Sequence, residues 1–421
     1  MITEQPTQDF TGYDFSNFFY GAGDDPLALV APFGEWYRQA LPRGYDCYST
    51  PMLSAPETMV RVRNRRTGEE RTLLNLASYN YLGLSYRPEV KAAAAAALDF
   101  YGLGASGSPI LSGTMAPHGE LAAAISAFKN KPASLLFPTG YSTTLGVISG
   151  LMRPGDSVIM DQYAHASIVD GAVLSRAHPV FFRHNNPSDL ARKLRGVTGK
   201  KLVVVEGVYS MDGDTCALPE IVQVARDHGA RILIDEAHST FIYGANGRGV
   251  AEHFGLEDEI DIHVGTFSKS LGGQGGFVCG SKELIDYLNA FGRSRFFSCN
   301  LSPVLVAGIH EALRLCVREP ELRTKLWDNV AAVRAVLLSK GVNIGKSTSQ
   351  VIPVMVNDDK RVFAVAEAMF ESGLHLNPVV YPAVPKHKSR LRLSVSSAHR
   401  REDLESAAET IATVLRKEGL I

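Results

Sequence analysis

The stretch Ile260–Ser270, IDIHVGTFSKS, sets one lysine, Lys269, among hydroxyl residues just past a short apolar run. A run of that length and composition reads as a buried strand. A primary amine at its end is either a surface cation that closes the strand or a group that does chemistry in a dry pocket. The neighbouring runs decide what kind of sheet carries it. ASLLFP, DSVIMD, HPVFFR, KLVVVEG, ARILIDEA, IDIHVGTF and GGFVCG are all short, apolar and bounded by Gly, Pro or Asp. Between several of them lie amphipathic stretches such as LPEIVQVARDHG. Continuous apolar strands joined by helices predict an α/β fold with a mostly parallel sheet covered on both faces. In open sheets of this kind ligands sit outside the carboxyl ends of the strands, so informative residues should follow the apolar runs.

The flanks of this region differ from it. Residues 1–74 mix aromatic clusters (DFSNFFYG, FGEWYRQA) with turns and a basic patch, RVRNRRTGEE, and read as an N-terminal arm with one helix and a hairpin-like connection, suited to packing on a neighbour. Residues 75–308 carry the α/β pattern. Residues 309–421 give a long helical stretch, strands around QVIPVMVN and RLRLSV, and a final helix, which predicts a smaller α+β domain.

The 421 residues exceed what one compact core usually holds, so two domains plus an arm is the natural division. Net charge is −1 and no Lys/Arg block stands out, which argues against nucleic acid or an anionic membrane as the main partner. Peripheral contact with a membrane stays open. Five cysteines (Cys47, Cys216, Cys279, Cys299, Cys316) are scattered without CxxC spacing. That pattern suggests neither a disulfide framework nor a zinc site, and predicts a reducing, cytoplasmic setting. The opening MITEQPTQDF is unlike a secretory leader, and no apolar run is long enough for a transmembrane segment; VKAAAAAALDF is an Ala-rich helix.

Several residues after the apolar runs could carry chemistry. GLGASG (Gly102, Gly104, Gly107) matches a dinucleotide pattern, but it follows a helix rather than a strand and reads as a glycine-rich loop. In ILIDEAHS, Asp235 closes a strand and His238 lies three residues on; an Asp there can equally cap a turn. No further His or Cys stands at metal-ligand spacing. LLFPTGYSTTLGVISGLM gives strand, Gly140 turn and helix, whose first N–H groups would favour an anion. DQYAHASIVDG carries His165 after another strand. Together, a phosphate cradle, a carboxylate, an aromatic His face and a strand-end lysine make the kit for pyridoxal 5′-phosphate. Lys269 would form the Schiff base and Asp235 would keep the pyridine nitrogen protonated.

The chain resembles the α-oxoamine synthases, fold-type I pyridoxal-phosphate enzymes that condense an amino acid with an acyl-CoA. The resemblance rests on ASYNYLGLS, SGT with PHGELAAAISAF, TGYSTTLGVIS, DQYAHASIVDG, VVVEGVYSMDGD, ILIDEAHS, GRGV, GTFSKSLGG and RLRLSVSSAH, in the family's order. Within it, EGVYSMDGD, GTFSKS and ASYNYLG look most like the serine palmitoyltransferases, as does DCYSTPMLSAP in the arm. The resemblance implies a seven-stranded sheet in the large domain, L-serine and palmitoyl-CoA as substrates, and a homodimer with shared active sites. It implies that Lys269 is also the proton shuttle, that His238 bonds the ring's phenolic oxygen and that His165 stacks on the ring. Gly140, Tyr141, Thr266 and Ser268 would hold the phosphate, with Ser298 reaching it from the other subunit. Arg392 would grip the substrate carboxylate with Asn80 nearby, leaving Arg390 as a strand-face cation. One departure is Pro109 in GSPILSGT, where many relatives carry arginine; proline removes a charge and an N–H together. Rival readings are a synthase for glycine or alanine with another acyl group or a carrier-protein thioester, a transaminase, and a non-catalytic partner subunit. Retention of Lys269, Asp235, His165 and His238 speaks against the last.

Overall fold

All seven apolar runs form strands of one sheet. In the computed structural model, which describes residues 10, 12–21, 23–43, 48–65 and 67–421, they are β3 (Ala133–Phe137), β4 (Ser157–Asp161), β5 (His178–Phe182), β6 (Lys201–Glu206), β7 (Arg231–Asp235), β8 (Ile262–Thr266) and β9 (Gly276–Gly280). Residues 1–9, read above as unlike a leader, Cys47, Arg66 of the basic patch and part of DCYSTPMLSAP lie outside the described residues. The sheet order is β3-β9-β8-β7-β6-β4-β5. The contacts among β5, β4, β6, β7 and β8 are parallel, and β9 inserts antiparallel between β8 and β3. Strands β4, β8 and β9 are buried at every position, as helices on both faces require.

The register sets the carboxyl ends side by side. Glu206 pairs with Asp235, Asp235 with Val264, and Thr266 with Gly276, which in turn faces Phe137. Helix α4 (Gly140–Leu151) starts directly above this edge. Thr139 caps it: its Oγ1 accepts from Ser142 N at 2.9 Å, and Ser142 Oγ accepts from Thr139 N at 3.0 Å. A Cβ on Gly140 would lie 2.8 Å from the Thr266 side chain, and one on Gly276 would lie 2.8 Å from Gly140 Cα. The helix can therefore sit this low only because both positions are glycine.

The arm holds α1 (Val30–Ala40) and a hairpin of β1 (Met59–Arg63) with β2 (Glu70–Asn75). Within the chain it packs on the C-terminal region. Strand β2 pairs parallel with β11 (Leu374–His375), and Tyr48 packs edge-on to Phe363 at 5.8 Å. Behind β11, a separate sheet of β10 (Val351–Met355), β13 (Arg390–Ser394) and β12 (Asn377–Val379) presents RLRLS. Helix Pro303–Arg318 runs uninterrupted through residue 308, and helix Arg401–Lys417 ends the fold. No helix among the described residues is long and apolar enough to cross a membrane.

A buried ion pair ties the sheet to helix α3 (Ala116–Phe128): Lys129, just past the helix, bonds Glu236, the residue after Asp235. Glu236 also accepts from Ala251 N at 3.0 Å. Although burial favours its neutral form, Lys129 and His263 hold its carboxyl down to about 2. Removing one partner strands a buried charge, so Lys129→Met is expected to cost about 3–5 kcal/mol in a urea unfolding series. The Lys129→Met/Glu236→Leu double variant should recover much of that loss; a single-variant cost below about 1 kcal/mol would contradict the pairing.

Candidate active site

The strand ends bring Lys269, Asp235, His165 and His238 within electrostatic reach of one another. Burial pushes the Lys269 amine down to about 8, against the opposing pull of Asp235 and Glu206. Asp235 is nearly fully buried; its Oδ1 accepts from Ala237 N at 2.9 Å and its Oδ2 from Thr144 Oγ1 at 3.3 Å. His238 is buried, which drives its imidazole well below the usual range, with Lys269 and His165 adding to the effect. Tyr81 Oη lies 2.9 Å from its Nδ1, so Nε2 is left for another partner.

His165 opens helix α5 (Ala166–Ser175) and lies edge-on to Tyr141, with ring centroids 6.4 Å apart. Its backbone N–H donates to Glu206 Oε1 at 2.6 Å. His165 is exposed as a residue, yet the protein packed around its imidazole lowers its proton affinity against the pull of Asp235, with Lys269 adding to the effect. Burial, with Asp235 adding to it, raises the Glu206 carboxyl well above the ordinary carboxylate range.

At the foot of α4 two N–H groups stay without an intrahelical acceptor. Ser142 N and Thr143 N bond Thr139, which leaves those of Gly140 and Tyr141. Thr266 Oγ1 donates to Gly275 O at 2.9 Å and sits 3.0 Å from Ser268 Oγ. The Thr266 proton is thus committed to the backbone, and Ser268 is the hydroxyl that can turn. Tyr141 Oη bonds Asp170.

Arg392, on β13, lies with its guanidinium 4.2 Å over the Tyr79 ring and donates to Ser210 O at 3.3 Å. Burial lowers it to about 10, so it is cationic at neutral pH. It faces an apolar cavity of about 820 Å³. Asn80 is not among the residues lining that cavity: its amide donates to Ser85 Oγ at 2.8 Å within the turn after β2. Arg390 is not a strand-face cation. It is buried, with Nη1 2.8 Å from Asp212 Oδ1 and 3.0 Å from Met211 O, because the VYSMDGD loop folds under β13. Ser298 lies on a loop against the glycine-rich one, where Asn300 N donates to Gly107 O and Asn300 Nδ2 to Gly113 O, both at 3.0 Å.

The model of the family described as "Aminotransferase class I and II" matches residues 71–411. Among curated relatives, the 8-amino-7-oxononanoate synthase of Thermoanaerobacter pseudethanolicus is 40% identical, over 83% of this chain and 89% of its own length. The serine palmitoyltransferase of Sphingobacterium spiritivorum is 38% identical, over 89% and 93%. The chain belongs to the α-oxoamine synthases of aminotransferase class I and II. The structure of S. paucimobilis serine palmitoyltransferase with bound PLP-myriocin aldimine aligns with this synthase at a TM-score of 0.90 and 35% identity, covering 94% of this chain and 100% of that one.

The cofactor of this synthase is pyridoxal 5′-phosphate, and the residues fit it. The two free N–H groups and Ser268 suit a phosphate, the buried Asp235 carboxylate suits a protonated pyridine nitrogen, and the Lys269 amine suits the aldehyde.

A second buried cluster of the synthase escaped the sequence reading. His184 is clamped between Asp161 Oδ1 at 3.0 Å and Asp214 Oδ2 at 2.8 Å, and Tyr209 Oη donates to Asp161 Oδ2 at 3.1 Å. These residues follow three different strands, so no local motif announces them; their sole signal is a polar side chain just past an apolar run. Burial opposes the charge on His184, but bonds to both carboxylates raise its pKa to about 10.

Because the folded-state value lies above the unfolded one of about 6.5, protonated His184 contributes stability fully below that pH and loses it as pH rises towards about 10. The wild-type melting temperature should therefore fall more steeply than that of His184→Gln between pH 6.5 and 10; parallel curves would refute the clamp. For Lys269, the rate at which apoprotein reacts with added pyridoxal 5′-phosphate should climb with the neutral amine and level off above pH about 8. A rate component assigned to Lys269 that still climbs at pH 10 would mark an ordinary lysine.

Proposed function

We propose that this enzyme joins L-serine to palmitoyl-CoA, or a similar long-chain acyl-CoA, with loss of CO2, giving 3-oxosphinganine and free CoA. The reading is carried by a run of contacts: Arg392 lies 4.2 Å over the Tyr79 ring beside an apolar cavity, and Tyr79 meets the His238 ring edge-on at 6.4 Å, within electrostatic reach of the depressed Lys269 amine. It is supported by the likeness to serine palmitoyltransferase structures over 94% of the chain.

Bound pyridoxal phosphate supplies an electron sink beside the substrate α-carbon. Asp235 keeps the ring nitrogen protonated, and neutral His238 bonds the ring oxygen. His165 covers one ring face. Arg392 holds the amino-acid carboxylate with paired N–H donors and so fixes which bonds at the α-carbon can break. Lys269 removes the α-proton. A C–C bond then forms between the α-carbon and the acyl carbon as the C–S bond breaks and CoA leaves as its thiol. The bond to the carboxylate breaks next, CO2 departs, and Lys269 returns a proton to the α-carbon.

Phe100, Leu103, Leu111 and Phe297 are 71–82% exposed around the loops that carry Pro109 and Ser298. An apolar surface of this kind supports a homodimer in which Ser298 reaches the partner's phosphate site. The reading places the enzyme in the cytoplasm. A second reading, alanine or glycine with a different thioester, is favoured by the 40% identity to an 8-amino-7-oxononanoate synthase.

Purified enzyme is expected to be yellow, to lose its visible band on borohydride treatment with the label on Lys269, and to be colourless as Lys269→Ala after dialysis. L-Serine should shift the spectrum at lower concentration than glycine or alanine, and Arg392→Lys should raise the half-saturating serine concentration about tenfold or more. Colour that survives without Lys269 would sink the site assignment; saturation by alanine ahead of serine would shift the reading to the second one.

A further inference from the structure

The N-terminal arm supplies one side of the apolar cavity facing Arg392, from residues ahead of position 71, where the match to the aminotransferase class I and II model begins. Phe15, Phe18, Leu29 and Phe33 of the arm form one wall, and Val379 and Pro382 form the other. The arm wall is stiff. Phe18 meets Phe33 and Trp36 with centroids 5.3 and 5.1 Å apart, Phe15 meets Trp36 at 5.1 Å, and Trp36 itself is buried. Arg392 is the one charged residue among the described residues lining the space. It stands in contact with Tyr79 and Met211, which marks the polar end.

We infer that the N-terminal arm builds the acyl-chain chamber of this enzyme and acts as its chain-length gauge. This rests on the reading above and names what it leaves open, namely where the hydrocarbon goes and what limits it. A volume of about 820 Å³ is far more than an amino-acid side chain such as that of serine needs, and lies within the roughly 300–1,000 Å³ of small-molecule sites. A single cation at one end and aromatic and aliphatic walls elsewhere match a substrate pair with one carboxylate and one long apolar tail. The wall is rigid because its rings brace one another, so it measures length rather than yielding to it.

The test uses holoenzyme with saturating amino acid and acyl-CoAs from four to eighteen carbons, reading kcat/KM by CoA release. Wild type is expected to gain up to about fourfold per added methylene and then reach a plateau where the chamber is full. Two filling substitutions from opposite walls, Leu29→Trp and Val379→Trp, should each lower the ratio of long-chain to short-chain kcat/KM more than tenfold and move the plateau to shorter chains. Phe33→Ala should move it to longer ones. Amino-acid-induced spectral changes report on the folded site independently. The gauge is overturned if both filled variants keep the wild-type chain-length profile, or lose all lengths in equal proportion. No CoA release from any thioester by wild type, with the serine spectral change intact, would instead overturn the condensation reading on which the gauge rests.

Discussion

The site depends on how closely helix α4 approaches the sheet edge. Gly140 and Gly276 leave no side chains between the first helical turn and the ends of β8 and β9, so the free N–H groups of Gly140 and Tyr141 come down beside Thr266 and Ser268. A helix start raised by even a methyl group would lift the anion site away from the level of Lys269 and Asp235. The reciprocal Thr139–Ser142 cap fixes the entry angle of the same turn. The strand register does the rest by setting Glu206, Asp235 and Thr266 in neighbouring positions along one edge.

Around that edge the polar groups are arranged so that burial and charge oppose each other in a graded way. Lys269 is pushed towards the neutral amine, His238 is kept neutral, and Glu206 is pushed towards its protonated form. One layer out, the signs reverse: Glu236 and His184 are held charged by partners placed on them. The outer ion pairs hold the backbone, and the inner groups are left free to exchange protons.

Much of this was legible in the sequence, for a physical reason. Strands buried in a covered sheet must be largely apolar, so all seven could be read from runs of five or six residues. Lys269, Asp235, His238 and His165, each at or just past such a run, are residues that the fold brings within electrostatic reach of one another. What stayed hidden was what depends on contacts between distant segments. Nothing local tells that Lys129 meets Glu236, or that Asp161 and Asp214 share His184. Arg390 and Arg392 alternate in RLRLS, and only the loop folded beneath β13 gives one an ion pair with Asp212 while the other lies over the Tyr79 ring and faces the apolar cavity. Asn80, inside a telling motif, also serves the turn itself, its amide donating to Ser85 Oγ, which no local pattern announces.

The pairing of β2 with β11 has a consequence for the order in which the molecule is made. Leu74 can find Leu374 only after nearly the whole chain has left the ribosome. The sheet that carries Lys269 is complete by Gly280 and can form earlier from sequence-adjacent units. Until the last strands arrive, the hairpin edge and the aromatic arm have no surface to cover, and Arg392 has not yet been synthesised. The strands that carry Lys269 and Asp235 are thus made well before β13 and Arg392, and the apolar arm is made long before the C-terminal strand that its hairpin pairs with.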